Sequence, residues 1–177
     1  SIDSAWKNAN ISAGSIGQLS LRSGCHNLVR AALTNAMNEV IAFGLQNTIN
    51  YRDANKYGGC YVPRFNRLTP NSSIGFLSRH TWGQAVDTNT QGSCQGCAPP
   101  DMACRTVRIF RKHGFAWGGN FLPPDGMHFE WVGKRRDVGL YPSRYCGNTN
   151  AGSLAALDGE SERSTIFADD GLYVGDH

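Results

Sequence analysis

Six cysteines punctuate this chain of 177 residues, at Cys25, Cys60, Cys94, Cys97, Cys104 and Cys146. Nothing else in the sequence limits the fold so strongly, because every cross-link ties two separate points of the backbone. Three disulfides formed in an oxidising compartment are one reading of an even, high count. A structural zinc on Cys94-x-x-Cys97 and Cys104 is the other, but it lacks a fourth ligand and a second close pair nearby. Disulfides are therefore expected. Spacing does not choose the pairing. Cys94 or Cys97 with Cys104 would close short loops in a Gly/Pro-rich segment, and Cys25 with Cys60 would staple the first helix to the segment after it.

The pattern between the cysteines points to a single α+β domain with a small, mostly antiparallel sheet and packed helices. Residues 1–24 are rich in Ser, Gly and Asn and read as a loosely held N-terminal extension with one short strand. From His26 to Phe43, Leu28, Val29, Ala32, Leu33, Ala36, Met37, Val40 and Ile41 recur at three and four residues, which predicts an amphipathic helix stopped by Gly44. NTINY then reads as a short strand, and residues 53–79 as a long loop of the kind that is functional or tied down. A strand is expected around Ala85 to Thr88. A cysteine-bearing loop over 89–101 follows, then a helix from Met102 to His113 capped by Asp101. FAWGGNFLPPDGM is turn-rich, and HFEWV alternates as a strand. The domain proper spans 25–147. The polar tail, 148–177, is either packed on it or partly disordered.

The net charge is only +3, and charged residues make up 18% of the chain. No basic stripe exists to follow a phosphate backbone, so nucleic-acid binding is not expected. The densest basic cluster, Lys134, Arg135 and Arg136, reads as a solvated turn. A slightly basic surface suits an anionic polymer such as a bacterial cell wall. No run of roughly 18 apolar residues is present to span a membrane. The chain begins at Ser1 without a signal peptide, as either a mature secreted protein or an artificially trimmed chain would. A monomer is expected.

Of the five histidines, His26 and His113 lie on or beside helices and His177 is terminal, positions that need no special role. His80 and His128 differ: each sits in a Gly-containing loop next to a short strand, with carboxylates close by. His80 comes with Asp87 in SRHTWGQAVD, and His128 comes with Asp125 and Glu130 in DGMHFEW. Two imidazoles, one carboxylate and an open fourth position are the usual coordination of a catalytic zinc. Such a site needs a further carboxylate to take a proton from water. Asp125, three residues before His128, can stand beside the metal without binding it. Gly83 lets the backbone between His80 and Asp87 fold back tightly. Asp87 follows Ala85 and Val86 in an apolar strand, where a carboxylate needs a partner, either a metal or an arginine.

SRHTWGQAVD resembles the Ser-x-His-x-x-Gly-x-Ala-x-Asp motif of the zinc D-Ala-D-Ala carboxypeptidase and dipeptidase family, which also contains phage endolysins cutting the L-Ala-D-Glu bond and the vancomycin-resistance dipeptidases. Ser78, His80, Gly83, Ala85 and Asp87 match it, and Asp125 with His128 match the family's downstream acid-x-x-His. The resemblance covers about residues 26 to 132. It implies a hedgehog/D,D-peptidase-like fold and zinc on His80, Asp87 and His128, with Asp125 as general base. It also implies an arginine upstream that stabilises the oxyanion. Arg64 in CYVPRFN is preferred over Arg52 in NYRDAN because Pro63 and Cys60 hold it. Glu130 alternates to the same strand face as His128 and suits a supporting role. Ser78 either touches substrate or orients its loop, and Trp82, Trp117 and Trp131 either line the cleft or fill the core. The implied substrate is a peptidoglycan stem peptide. Carboxypeptidase and endopeptidase action both remain open, and so does a non-catalytic zinc module of the hedgehog kind.

Overall fold

Helix α2 runs over Asn27–Ala42 and turns Val29, Leu33, Ala36, Met37 and Val40 inward. That spacing returns one face every turn, and each of the larger side chains, Val29, Leu33, Met37 and Val40, contributes ~1.5–3 kcal/mol when fully buried. Of the remaining apolar positions of the stripe, Ala32 is partly buried against the core, and Leu28 and Ile41 face solvent. His26 caps the helix: its Nδ1 accepts from the Leu28 N–H at 3.2 Å. Gly44 ends it in the left-handed conformation, φ +68°. The structure is a computed structural model that describes residues 2–17, 19–49, 59–66 and 76–149. Arg52 and nearly all of the expected tail, 148–177, lie outside the described residues.

The N-terminal segment is not a loose extension. A short helix α1 (Ser4–Asn10), capped by Asp3, leads into an antiparallel hairpin of β1 (Ile11–Ile16) and β2 (Leu19–His26). Ile16, Leu19 and Leu21 join the same core as α2. Composition misleads here because most of the Ser and Gly positions are the solvent side of a hairpin whose larger apolar residues, Ile16, Leu19 and Leu21, are buried.

The second sheet has strand order β3 (Ala85–Asp87), β5 (His128–Trp131), β4 (Phe115–Trp117), antiparallel throughout. Helix α3 (Cys104–Lys112) packs against α2 and the sheet, with Phe110 against Phe115 and Phe129 at ring distances of 5.7 and 4.7 Å. Three expectations need correction. NTINY begins not as a strand but as a 3-10 turn over Gln46–Thr48, where Thr48 and Thr106 hydroxyls meet at 2.6 Å. FAW, inside the turn-rich stretch, is strand β4. Asp101 does not cap α3. The helix starts after Ala103 without a side-chain cap, and the Asp101 N–H is spent on the Gly92 carbonyl, closing the 92–101 loop.

All six cysteines are paired. Cys25–Cys60 joins the end of β2 to the segment after α2, as the sequence allowed. The short loops to Cys104 do not form. Cys94 pairs with Cys97, and Cys104 reaches Cys146, 42 residues away. That last link fastens the 137–149 loop over α3, where the helix buries Arg105, Arg108 and Arg111 as well as its apolar side. Arg108 donates to the Gly147 carbonyl, and Arg111 donates to Asn148 Oδ1 and the Tyr141 carbonyl at 2.6 and 2.7 Å. Glu39 of α2 takes Lys112 Nζ at 2.9 Å and also meets the His113 ring.

Candidate metal centre

The 3-10 turn Arg79–Trp82 carries His80, and three contacts hold that turn in place. Ser78 caps it by accepting from the His80 N–H at 3.3 Å. Gly83 closes it at φ +66°, where a Cβ would come within 2.8 Å of the His26 backbone nitrogen. The Val62 N–H donates to the His80 carbonyl. The chain then enters β3, whose last residue, Asp87, is the register partner of His128 at the start of β5. The ligand atoms of His80, Asp87 and His128 all lie within 4.8 Å of one another.

The proton positions follow from the outer partners. His80 Nδ1 faces the carbonyl oxygens of Gly59 and Cys60, both at 3.2 Å, so it must donate. Its Nε2 then turns a lone pair toward Asp87 Oδ1, 3.3 Å away. His128 Nε2 faces the Glu130 carboxylate at 3.2 Å, and its Nδ1 faces the same Asp87 oxygen at 3.1 Å. Lone pairs converging on one carboxylate oxygen require positive charge between them, a proton or a metal ion. The spacings fit a metal: bonds of ~2.0–2.1 Å at tetrahedral angles place neighbouring donors about 3.4 Å apart. The group is nearly sealed, with His80 only 1% exposed.

Without a metal the same contacts shift the protonation of the cluster. Burial works against the charge on Asp87, but hydrogen bonds from His128 and His80 hold its carboxyl well below the usual range. Burial likewise opposes charge on His128, yet hydrogen bonds to Asp87 and Glu130 push it up to about 9. Burial would raise Glu130, but its hydrogen bond with His128 holds it down. Perturbation of this kind at a cleft is a mark of functional sites.

A cavity of about 390 Å³ opens over the cluster and is lined by Arg64, Ser78, Asp87, Asp125, His128 and Glu130. Of the candidate site residues, Arg64, Ser78, Asp87, Asp125, His128 and Glu130 line this cavity, and buried His80 reaches Asp87 on its wall. Arg64 is clamped to the His80 turn: its N–H donates to Thr81 Oγ1, and its carbonyl accepts from Thr81 Oγ1 and the Ser78 N–H. Trp82 is exposed, Trp117 is core and Trp131 lies elsewhere. Apolar rims at Leu77, Phe121 and Leu122 flank the opening.

Sequence reasoning missed the support of the acid-x-x-His turn. Trp117 Nε1 donates to the Gly126 carbonyl at 2.8 Å, and the Asp125 N–H donates to the Gly118 carbonyl at 2.7 Å. A Cβ on Gly118 would sit 2.3 Å from the Asp125 carbonyl oxygen and 3.0 Å from His128 Cβ. The signal was the Gly118-Gly119 pair following an aromatic strand, legible only once that strand is known to flank β5.

No curated protein and no solved structure matches the chain. A family model described as D-alanyl-D-alanine carboxypeptidase matches residues 71–131. That segment, about a third of the chain, contains His80, Asp87, Asp125 and His128 and is similar to the D-alanyl-D-alanine carboxypeptidase family over that stretch.

Proposed function

We propose that the protein is a zinc-dependent peptidase that hydrolyses peptidoglycan stem peptides, as a D-alanyl-D-alanine carboxypeptidase. One observation supports it above the others: two imidazole nitrogens converge on a single Asp87 oxygen, with both rings oriented from behind by acceptors. His80 Nε2, Asp87 and His128 Nδ1 would hold the ion. When bound, zinc supplies Lewis-acid chemistry, polarising a carbonyl and lowering the pKa of water.

The chain's own residues do the rest. Asp125, on the cavity wall beside His128, takes a proton from the attacking water and returns it to the leaving amine. Arg64, fixed by Thr81, stabilises the negative charge that develops on the scissile carbonyl oxygen. Glu130 keeps the proton on His128 Nε2, and Ser78 orients the His80 turn at the edge of the substrate cavity. The disulfides and the weakly basic charge are compatible with a secreted protein working at the cell wall, and no helix among the described residues is long and apolar enough to cross a membrane. The α+β arrangement is read as the D,D-peptidase-like fold.

Incubation with a pentapeptide ending in D-Ala-D-Ala tests the reading. Free D-alanine should appear with the wild type and fall ~10²–10⁴-fold with Asp125→Asn, which should keep its zinc. Internal cleavage without free D-alanine would make the protein an endopeptidase on the same site. No cleavage by a zinc-loaded wild type would leave a binding module.

A further inference from the structure

The basic turn that reads as solvated in the sequence is not simply solvated. Arg135 is spent on Asp137, with Nε and Nη2 donating to the two carboxylate oxygens at 2.6 and 2.9 Å. Lys134 and Arg136 instead line a second cleft, of about 440 Å³, together with Arg79, Gln84, Trp131 and Tyr141. Its lining holds three cations and, among the described residues, no carboxylate. The Arg136 guanidinium stacks on Tyr141 at 4.1 Å, and its Nε is buried without a hydrogen-bond partner among the described residues.

This cleft adjoins the catalytic cavity. Arg79 lines both. The geometry points to a substrate subsite: an extended peptide lying in the catalytic cavity continues past Arg79 and places a side-chain carboxylate in this cleft, against Lys134 and Arg136. The inference rests on the peptidase reading and adds that the substrate carries an acidic group away from the scissile bond. Arginine and lysine on an aromatic wall suit a carboxylate, because planar stacking leaves the guanidinium edge free for bidentate bonds. Lys134 and Arg136 are then specificity residues and take no part in the chemistry.

Two peptides with the same scissile bond test it, one bearing a free acidic side chain and the other its primary amide. Binding is measured by calorimetry at low ionic strength and hydrolysis by kcat/KM, with wild-type protein and with Lys134→Gln/Arg136→Gln. The acid is expected to bind about tenfold more tightly than the amide to the wild type, and the ratio to fall to near one in the double variant. Lys134→Gln alone, at an exposed position, should lower the ratio partway if the larger change disturbs folding. Equal binding of acid and amide by the wild type, or a preference that survives in a folded variant, overturns the subsite. The two readings fail separately. An acid preference in binding without hydrolysis keeps the cleft and removes the peptidase, whereas equal hydrolysis of both peptides keeps the peptidase and removes the cleft.

Discussion

Asp87 and His128 are register partners across the β3–β5 ladder, and their side chains meet at 3.1 Å above the sheet. Directly opposed residues on one face of an antiparallel pair have Cβ atoms ~4.5–5.5 Å apart, close enough for a carboxylate and an imidazole to share an ion. His80 joins them from the turn that feeds β3, so two elements of the sheet and one tight turn deliver all three groups. The centre is thereby built on strands, with loops left to form the substrate walls.

The metal prediction follows from that convergence. Protein prepared without chelator should contain about one zinc per chain by elemental analysis. His80→Ala and Asp87→Ala should each abolish it, while Ser78→Ala, which loses only a cap, should weaken retention without eliminating it. Full zinc in His80→Ala would remove this cluster as the site.

Gly118→Ala should damage the site from outside it. The added methyl meets the Asp125 carbonyl at 2.3 Å, backbone that cannot rotate away. The Asp125–His128 turn must shift, at a cost of about 1–3 kcal/mol. Hydrolysis is expected to fall much more than melting temperature. A variant with unchanged kcat/KM would mean that the turn tolerates displacement.

Arg111→Ala should destabilise the fold by about 2–4 kcal/mol, because the removed guanidinium leaves Asn148 Oδ1 without its donor, takes one of two donors from the Tyr141 carbonyl, and opens a void beneath the 137–149 loop. Denaturant melts measure it, and zinc stoichiometry of the folded variant should be intact. A loss below about 0.5 kcal/mol would indicate that Cys104–Cys146 and the Arg108–Gly147 contact hold the loop without Arg111.

Acid should loosen the junction of α2 and α3. Burial favours the neutral form of Glu39, but hydrogen bonds from His113 and Lys112 hold its pKa below the unfolded value of 4.5. Its contribution is therefore present above about pH 4.5 and disappears as the pH falls through the depressed folded value. Glu39→Gln should melt on the order of 2–4 °C below wild type at neutral pH, and the gap should close in acid. A gap that is constant down to pH 3 would assign the effect to packing rather than charge.

Local sequence pattern carried much of this molecule. The 3.6-residue stripe of α2, the alternation of HFEW and the tight turn at Gly83 each follow from contacts within a few residues, where chain connectivity already decides what can meet. The spacing of His80 to Asp87 and of Asp125 to His128 was legible for the same reason. Spacing alone did not join these two pairs; the resemblance implied their union, and the tertiary structure supplies its physical basis in the β3–β5 register, a pairing across about forty residues of chain. The tertiary structure alone decided that Cys104 pairs with Cys146, that the arginines of α3 are buried, and that the Ser/Gly-rich first residues form a core hairpin. These outcomes turn on which distant segment covers a given face, and no local periodicity records what lies on the other side.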